Sequence, residues 1–498
     1  MREGMIRPVI SRMPVGAAAF LAACAAVATL VPPLHVMAQS LDGLLSGGAI
    51  LSRPTDRSVT VRAIAARALT AAVEWRPEGS TSEWRRSVTS QAGAGESVDV
   101  LIDGLSPDTA YSYRLTVQAR GDAGPAVLGP EGRFRTQRTP GSPFTFVVQA
   151  DPHLDENSST SVYAQALRNE LADRPDFLID LGDAAMSDRC IIAGDNLCGR
   201  DRAIAYEQVA ARNSLMRSYF AQVAHSLPLF LVLGNHEAES GWSTSGTAAT
   251  LASWSLRART QFYANPVPDG IYSGNSTPDA SGALRQNYYA FEWGDALFVA
   301  LDPFAYTLRK PTQFTDSDMW NWTLGDAQYR WLVSTLSSSR ARYKFVFSHH
   351  MTGGGAAEVR GAAAFADYFE WGGRNLDGSW GFDTNRPGWA KPIQQLMKDA
   401  GVNIWFHGHD HLYAREEVDG IVYQSVPQPS TARYQGPDLA REYGYRAVPG
   451  ETAFVTPGHL RVSVDRQGIR VDFVRAVAPG EETATLRNGA IVTSYSLR

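Results

Sequence analysis

Two histidines one residue apart, His409 and His411, follow the apolar run Val402–Trp405 across Phe406-His407-Gly408. Alternate residues of an extended segment point the same way, so both imidazoles can face one point. Gly408 lets the backbone come close to whatever is held there. Neutral imidazole is the commonest metal ligand among side chains. An isolated H-x-H would read as no more than a polar loop after a strand.

Four other short motifs share its setting. Val147–Ala150 runs into Asp151-Pro152-His153, and Phe177–Leu181 into Gly182-Asp183. Phe230–Leu233 runs into Gly234-Asn235-His236-Glu237, and Phe345–Ser348 into His349-His350. Apolar runs of this length predict buried strands. They alternate with segments of helical composition, such as Ser161–Ala172 and Ala203–Val223. The pattern is that of an α/β domain with a layered core, in which ligands bind at the carboxyl ends of strands. Taken singly, Asp151 or Asn235 could cap a helix, Gly182-Asp183 could be a turn, and His349 a core histidine. Together the five motifs hold seven of the chain's ten histidines, all just after strands. That joint occurrence points to a metal site.

The order D-x-H, G-D, G-N-H-E, H, G-H-x-H resembles the calcineurin-like metallophosphoesterase superfamily, from Phe144 to about Val426. The plan is similar to that of purple acid phosphatases, including Tyr413 and Arg415 after the last motif. The resemblance implies a layered β-sandwich flanked by helices, two divalent or transition metal ions (Fe, Mn, Zn or Co), and a phosphate ester substrate. It implies Asp151, His153, Asp183 and His411 around one ion, and Asp183, Asn235, His349 and His409 around the other. Asp183 would bridge, since a carboxylate offers two oxygens. With only two carboxylates, two dications stay under-neutralised, which attracts the ester and acidifies water for in-line attack on phosphorus. His236, next to Asn235, would stabilise the transferring phosphoryl group or protonate the leaving oxygen. The residues themselves leave His349 and His350 open as ligands; the family pattern favours His349. His350 and His407 are expected to orient ligands. One departure stands out. Purple acid phosphatases carry a tyrosine three residues after the G-D aspartate, where this chain has Met186. No phenolate and no purple colour are expected.

The rest of the chain must position these loops. Its 498 residues allow two to three domains at ~150 residues each. Apolar content of 44% supplies a core, and a net charge of −5 gives no sign of a nucleic-acid-binding module. Residues 1–38 read as a signal peptide: Arg2, Arg7 and Arg12, the apolar Val15–Val31, then Val36-Met37-Ala38. The product would be secreted or periplasmic, with no membrane span after cleavage. A retained anchor and lipoprotein processing at Cys24 are the alternatives. Cys190 and Cys198 then remain, an even and close pair that argues for a disulfide.

Alternating runs between residues 46 and 138, such as Ser58–Ala63 and Tyr111–Val117, predict an antiparallel sandwich. Leu105-Ser106-Pro107-Asp108-Thr109-Ala110-Tyr111-Ser112-Tyr113 resembles the signature of fibronectin type III-like domains. Thr139–Pro143 reads as a linker, 144–477 as the catalytic domain, and 478–498 as a tail or closing strand. Ser240–Gly282 reads as a long polar loop and Trp371–Trp389 as a rim loop.

Hydrolysis of phosphate monoesters is the leading expectation. Diesters, as in nucleotides or phospholipid head groups, are the nearest rival. A surface-binding protein with a vestigial metal site is the rival of another class. A metalloprotease is disfavoured, because Ser240 stands where H-E-x-x-H would place a ligand.

Overall fold

The structure is a computed structural model. It describes residues 41–189, 191–192, 195–196, 204–244, 250–279, 282–356, 358–432, 438–448 and 450–498. The expected signal peptide, Cys24, Cys190 and Cys198 lie outside the described residues.

Two antiparallel sheets form the first part of the chain. Ile50–Ser52, Val59–Ile64 and Ser97–Ile102 make one; Leu69–Pro77, Ala110–Ala119 and Val127–Arg135 are the long strands of the other. Val98, Val100 and Ile102 are buried and alternate with the more exposed Ser97, Asp99 and Leu101, as a half-buried strand requires. They pack with Val59, Val61, Val73 and Tyr113 in one core.

From Phe144 the chain builds two larger mixed sheets. The first runs, in spatial order, Leu229–Leu231, Phe177–Asp180, Phe144–Gln149, Gly458–Asp465, Gly468–Arg475, Ile491–Leu497. Its first three strands are parallel and its last three antiparallel. In the second, Ala296–Ala300, Tyr343–Ser348, Ile404–His407 and Ile421–Ser425 are parallel neighbours. Tyr289–Trp293 and Tyr413–Val418 pair antiparallel at either side.

The two sheets face each other across a phenylalanine-rich core. Phe146 lies 5.1 Å from Phe298 and 5.3 Å from Phe345, ring centre to ring centre. Each such side chain contributes about 1.5–3 kcal/mol by leaving water. Helices Thr160–Ala172 and Tyr206–Ala224 pack on the outer face of the first sheet. Gly325–Ser338 and Ile393–Ala400 pack on that of the second. The region from Phe144 onward is thus an α/β/β/α stack, preceded by a small all-β sandwich.

Two segments differ from their sequence reading. Ser240–Gly282 contains the helix Leu251–Phe262, started by Thr250, whose hydroxyl accepts from Ser253 N. Phe262 and Tyr263 are buried against Tyr206–Ala224. Their polar, Ser- and Thr-rich surroundings hid the helical period. Trp371 is buried as well, and its Nε1 donates to Tyr423 Oη at 2.8 Å.

Charged side chains bind the sandwich to the larger region that follows it. Arg62 forks onto Asp99 at 2.7 Å and donates to the carbonyls of Thr260 and Tyr263. Arg217, wholly buried, donates to the carbonyls of Gly48 and Arg62 at 2.9 Å each.

Candidate metal centre

Each sheet delivers part of one site. Strands of the first sheet end at Asp151 and His153, at Asp183, and at Asn235 and His236. Strands of the second end at His349 and at His409 and His411. Five of the motif histidines thus emerge where carboxyl ends of the two sheets meet.

The side chains gather in two adjoining clusters. Asp151, His153 and His411 form one; Asp183, His349 and His409 form the other; within each, donor atoms lie within 4.8 Å of one another. Asp151 Oδ1 is 3.4 Å from His411 Nε2, 3.6 Å from His153 Nε2 and 3.8 Å from His349 Nε2. Asp183 Oδ2 is 3.1 Å from His349 Nε2 and 3.6 Å from His153 Nε2. His409 Nδ1 lies 3.2 Å from His349 Nε2. The His236 amide donates to Asp183 Oδ1 at 2.7 Å, which brings the Asn235–Glu237 turn against Asp183.

Hydrogen bonds on the far side of the rings fix which nitrogen faces inward. His153 Nδ1 is taken by Asp155 at 3.2 Å, and His349 Nδ1 by the Leu181 carbonyl at 2.9 Å. His409 Nε2 is taken by the Glu358 carbonyl at 2.5 Å. The opposite nitrogen of each ring faces the centre, the side from which a histidine would ligate. Three buried atoms of the motifs have no hydrogen-bond partner among the described residues: Asp151 Oδ1, His153 Nε2 and Asn235 Oδ1. An unanswered buried polar atom costs about 1–3 kcal/mol. A bound cation is the partner this set fits, since carboxylate, imidazole and amide oxygen are all divalent-metal donors.

His350 differs from His349. Its Nδ1 is taken by the Met351 carbonyl at 2.6 Å, and its ring sits between the edges of Phe304 and Trp322. Burial and the neighbouring His349 push its pKa down to about 3. Burial also pushes His407 down to about 4. For His349, burial works against the proton, but Asp183 and Asp151 overcome it and hold the pKa at about 9. Burial likewise opposes the charge on Asp183, and His349 and His236 overcome it, leaving the carboxyl below its usual range.

The backbone is bent to make this arrangement. Asp151, His153, Asp183, His409 and His411 all have φ between 51° and 71°. Left-handed backbone at non-glycine residues is uncommon, costs on the order of 1–3 kcal/mol each, and gathers at functional sites. Gly182 and Gly234 allow the loops to touch: a Cβ on Gly182 would lie 2.2 Å from Gly234 N.

Several residues that sequence reasoning left without a role hold the centre. Glu237 is buried and accepts four backbone N–H groups, from Gly234, Asp183, Ala184 and Ala185, at 2.6–3.1 Å. The E of G-N-H-E was its only signal. Asp188 receives His236 Nδ1 at 2.8 Å. Burial lowers the His236 pKa, but Asp183 and Asp188 outweigh it and raise the value overall. Arg360 donates to the His409 carbonyl, and Gly361 N to Asp410 Oδ2 at 2.8 Å. Met186 packs among Leu154 and Ala184 in an apolar cluster and presents no oxygen.

The sequence model of a family described as calcineurin-like phosphoesterase matches residues 144–413. Purple acid phosphatase 13 of Arabidopsis thaliana is 25% identical over 261 residues, 48% of this chain and 42% of that one. Purple acid phosphatase 23 of the same plant is 26% identical over 246 residues, 48% of this chain and 44% of its own. The matches therefore span less than half the length of these relatives. Among solved structures, PhoD superposes with a TM-score of 0.63 at 18% identity, covering 93% of this chain and 94% of its own. Purple acid phosphatase PPD1 from yellow lupin (Lupinus luteus) superposes with 0.57 at 14% identity, covering 90% and 73%. At these identities the likeness concerns the fold.

Proposed function

Because the chain belongs to the calcineurin-like phosphoesterase family, we propose that it hydrolyses phosphate esters, monoesters foremost, at a two-cation centre. Asp151, His153, Asp183 and His411 would hold one ion; Asp183, Asn235, His349 and His409 would hold the other. The observation that carries this reading is the set of buried, unanswered donor atoms Asp151 Oδ1, His153 Nε2 and Asn235 Oδ1, beside histidines already turned inward. The donor set suits Fe, Mn, Zn or Co.

When bound, such a pair of cations supplies Lewis acidity, drawing charge from the phosphoryl oxygens and acidifying water. The protein's own groups do the rest. Asp183 and Asp151 bring only two negative charges to a heptad of ligands, so an anionic ester is attracted. His236, fixed by Asp188 through Nδ1, keeps Nε2 free to steady a phosphoryl oxygen or to protonate the leaving alkoxide. No helix among the described residues is long and apolar enough to cross a membrane. Export to the periplasm or medium rests on the sequence of residues 1–38.

Paired assays with p-nitrophenyl phosphate and bis-p-nitrophenyl phosphate test the reading on metal-loaded protein. Faster turnover of the monoester is expected, and His236→Ala should lower kcat by about 10²–10⁴-fold with metal content unchanged. A preference for the diester would move the assignment to phosphodiesters. No turnover of either would leave a binding protein.

A further inference from the structure

A cleft of about 120 Å³ opens at the seam between the sandwich and the catalytic region. A water molecule's share of liquid volume is about 30 Å³, so the cleft has room for a tetrahedral oxyanion. Its walls carry Glu78, Arg133, Arg135 and Arg138 from the sandwich, and Arg174 and Asp176 from the larger region that follows.

Two of these arginines are already committed. Arg138 forks onto Asp176 at 2.6 and 2.9 Å. Arg135 Nη1 donates to the Asp108 carbonyl at 2.9 Å and to its carboxylate at 3.2 Å. Arg133 is not committed. Its backbone N–H donates to Ser226 Oγ at 3.2 Å, while its half-buried guanidinium has no acceptor among the described residues. Arg174 Nη2 lies 3.5 Å from Glu78 Oε1, so Glu78 answers Arg174 and the positive charge of Arg133 is left over. Burial and then Arg174 lower the Arg133 pKa, and the carboxylates of Glu78 and Asp176 offset this only in part. Guanidinium is the side chain best shaped to take phosphate oxygens in pairs.

We propose that this cleft binds inorganic phosphate, clamped between Arg133 and Arg174. It is remote from the metal centre. Asp176 stands at the start of the strand whose far end leads to Asp183, on the order of 20 Å away. The site stands independently of the hydrolytic reading, although that reaction would release its ligand.

Equilibrium dialysis of metal-loaded protein against inorganic phosphate at low ionic strength is the test. Wild type should bind one phosphate more than R133Q/R174Q, whatever the metal centre binds. R174Q alone, at an exposed position, should weaken the cleft's affinity by about tenfold or more, the worth of a charge-assisted pair. His411→Ala should retain the cleft phosphate even where the centre fails, which separates the two assignments. R133Q/R174Q should turn over p-nitrophenyl phosphate as wild type does. Equal phosphate binding by wild type and R133Q/R174Q overturns the proposal.

Discussion

Glu237 shows how a single carboxylate can shape a centre it does not face. Four backbone N–H groups from two loops converge on its two oxygens. Burial and nearby Asp183 raise its pKa, and the backbone donors of Asp183 and Gly234 oppose that rise. Glu237→Gln preserves size but turns an NH₂ toward donors that need an acceptor. Each orphaned buried donor costs about 1–3 kcal/mol. Thermal unfolding should therefore shift down, and metal content should fall as Asp183 loosens. An unchanged melting temperature with full metal content would remove Glu237 from this role. Asp188 and Glu237 could not be assigned from sequence, because their partners are set by loop geometry. The ligand types were legible because each stands directly after an apolar run.

At the scale of elements, the centre depends on strand ends meeting without side chains between them. Gly408 sits where a Cβ would lie 2.6 Å from Asp151 Oδ2 and 2.9 Å from Ala150 Cβ. His409 N donates to that same Asp151 oxygen at 2.8 Å, across the boundary between the sheets. Gly408→Ala should push the second sheet's loop away from Asp151. The expected result is a folded protein with weakened metal binding, by roughly 10–100-fold as for other losses of ligand support. Metal titration of the purified variant checks this, and wild-type affinity would contradict it. Strand positions were readable from the apolar runs to within a few residues, as with Phe177–Leu181 against the observed Phe177–Asp180. The helix Leu251–Phe262 was not readable, because its polar face and Ser-rich flanks resemble loop composition.

Across the whole molecule, the order of motifs foretold a fold that no single motif could. Parallel strands with short following loops place their chemistry at one edge, and two such sheets facing each other bring two edges together. What sequence could not convey was the seam. Arg62 and Arg217 reach carbonyls 155 to 201 positions away, and a run of alternating residues carries no sign of such long-range pairs. The same seam sets Arg133 against Arg174.

The account rests on Asp183 being shared by two cations. Anomalous diffraction from crystals of the metal-loaded protein measures that directly. Two peaks about 3.5–4 Å apart are expected, each about 2.0–2.2 Å from an Asp183 oxygen, one beside His411 and the other beside His409. A single peak, or two peaks that do not share Asp183, would contradict it.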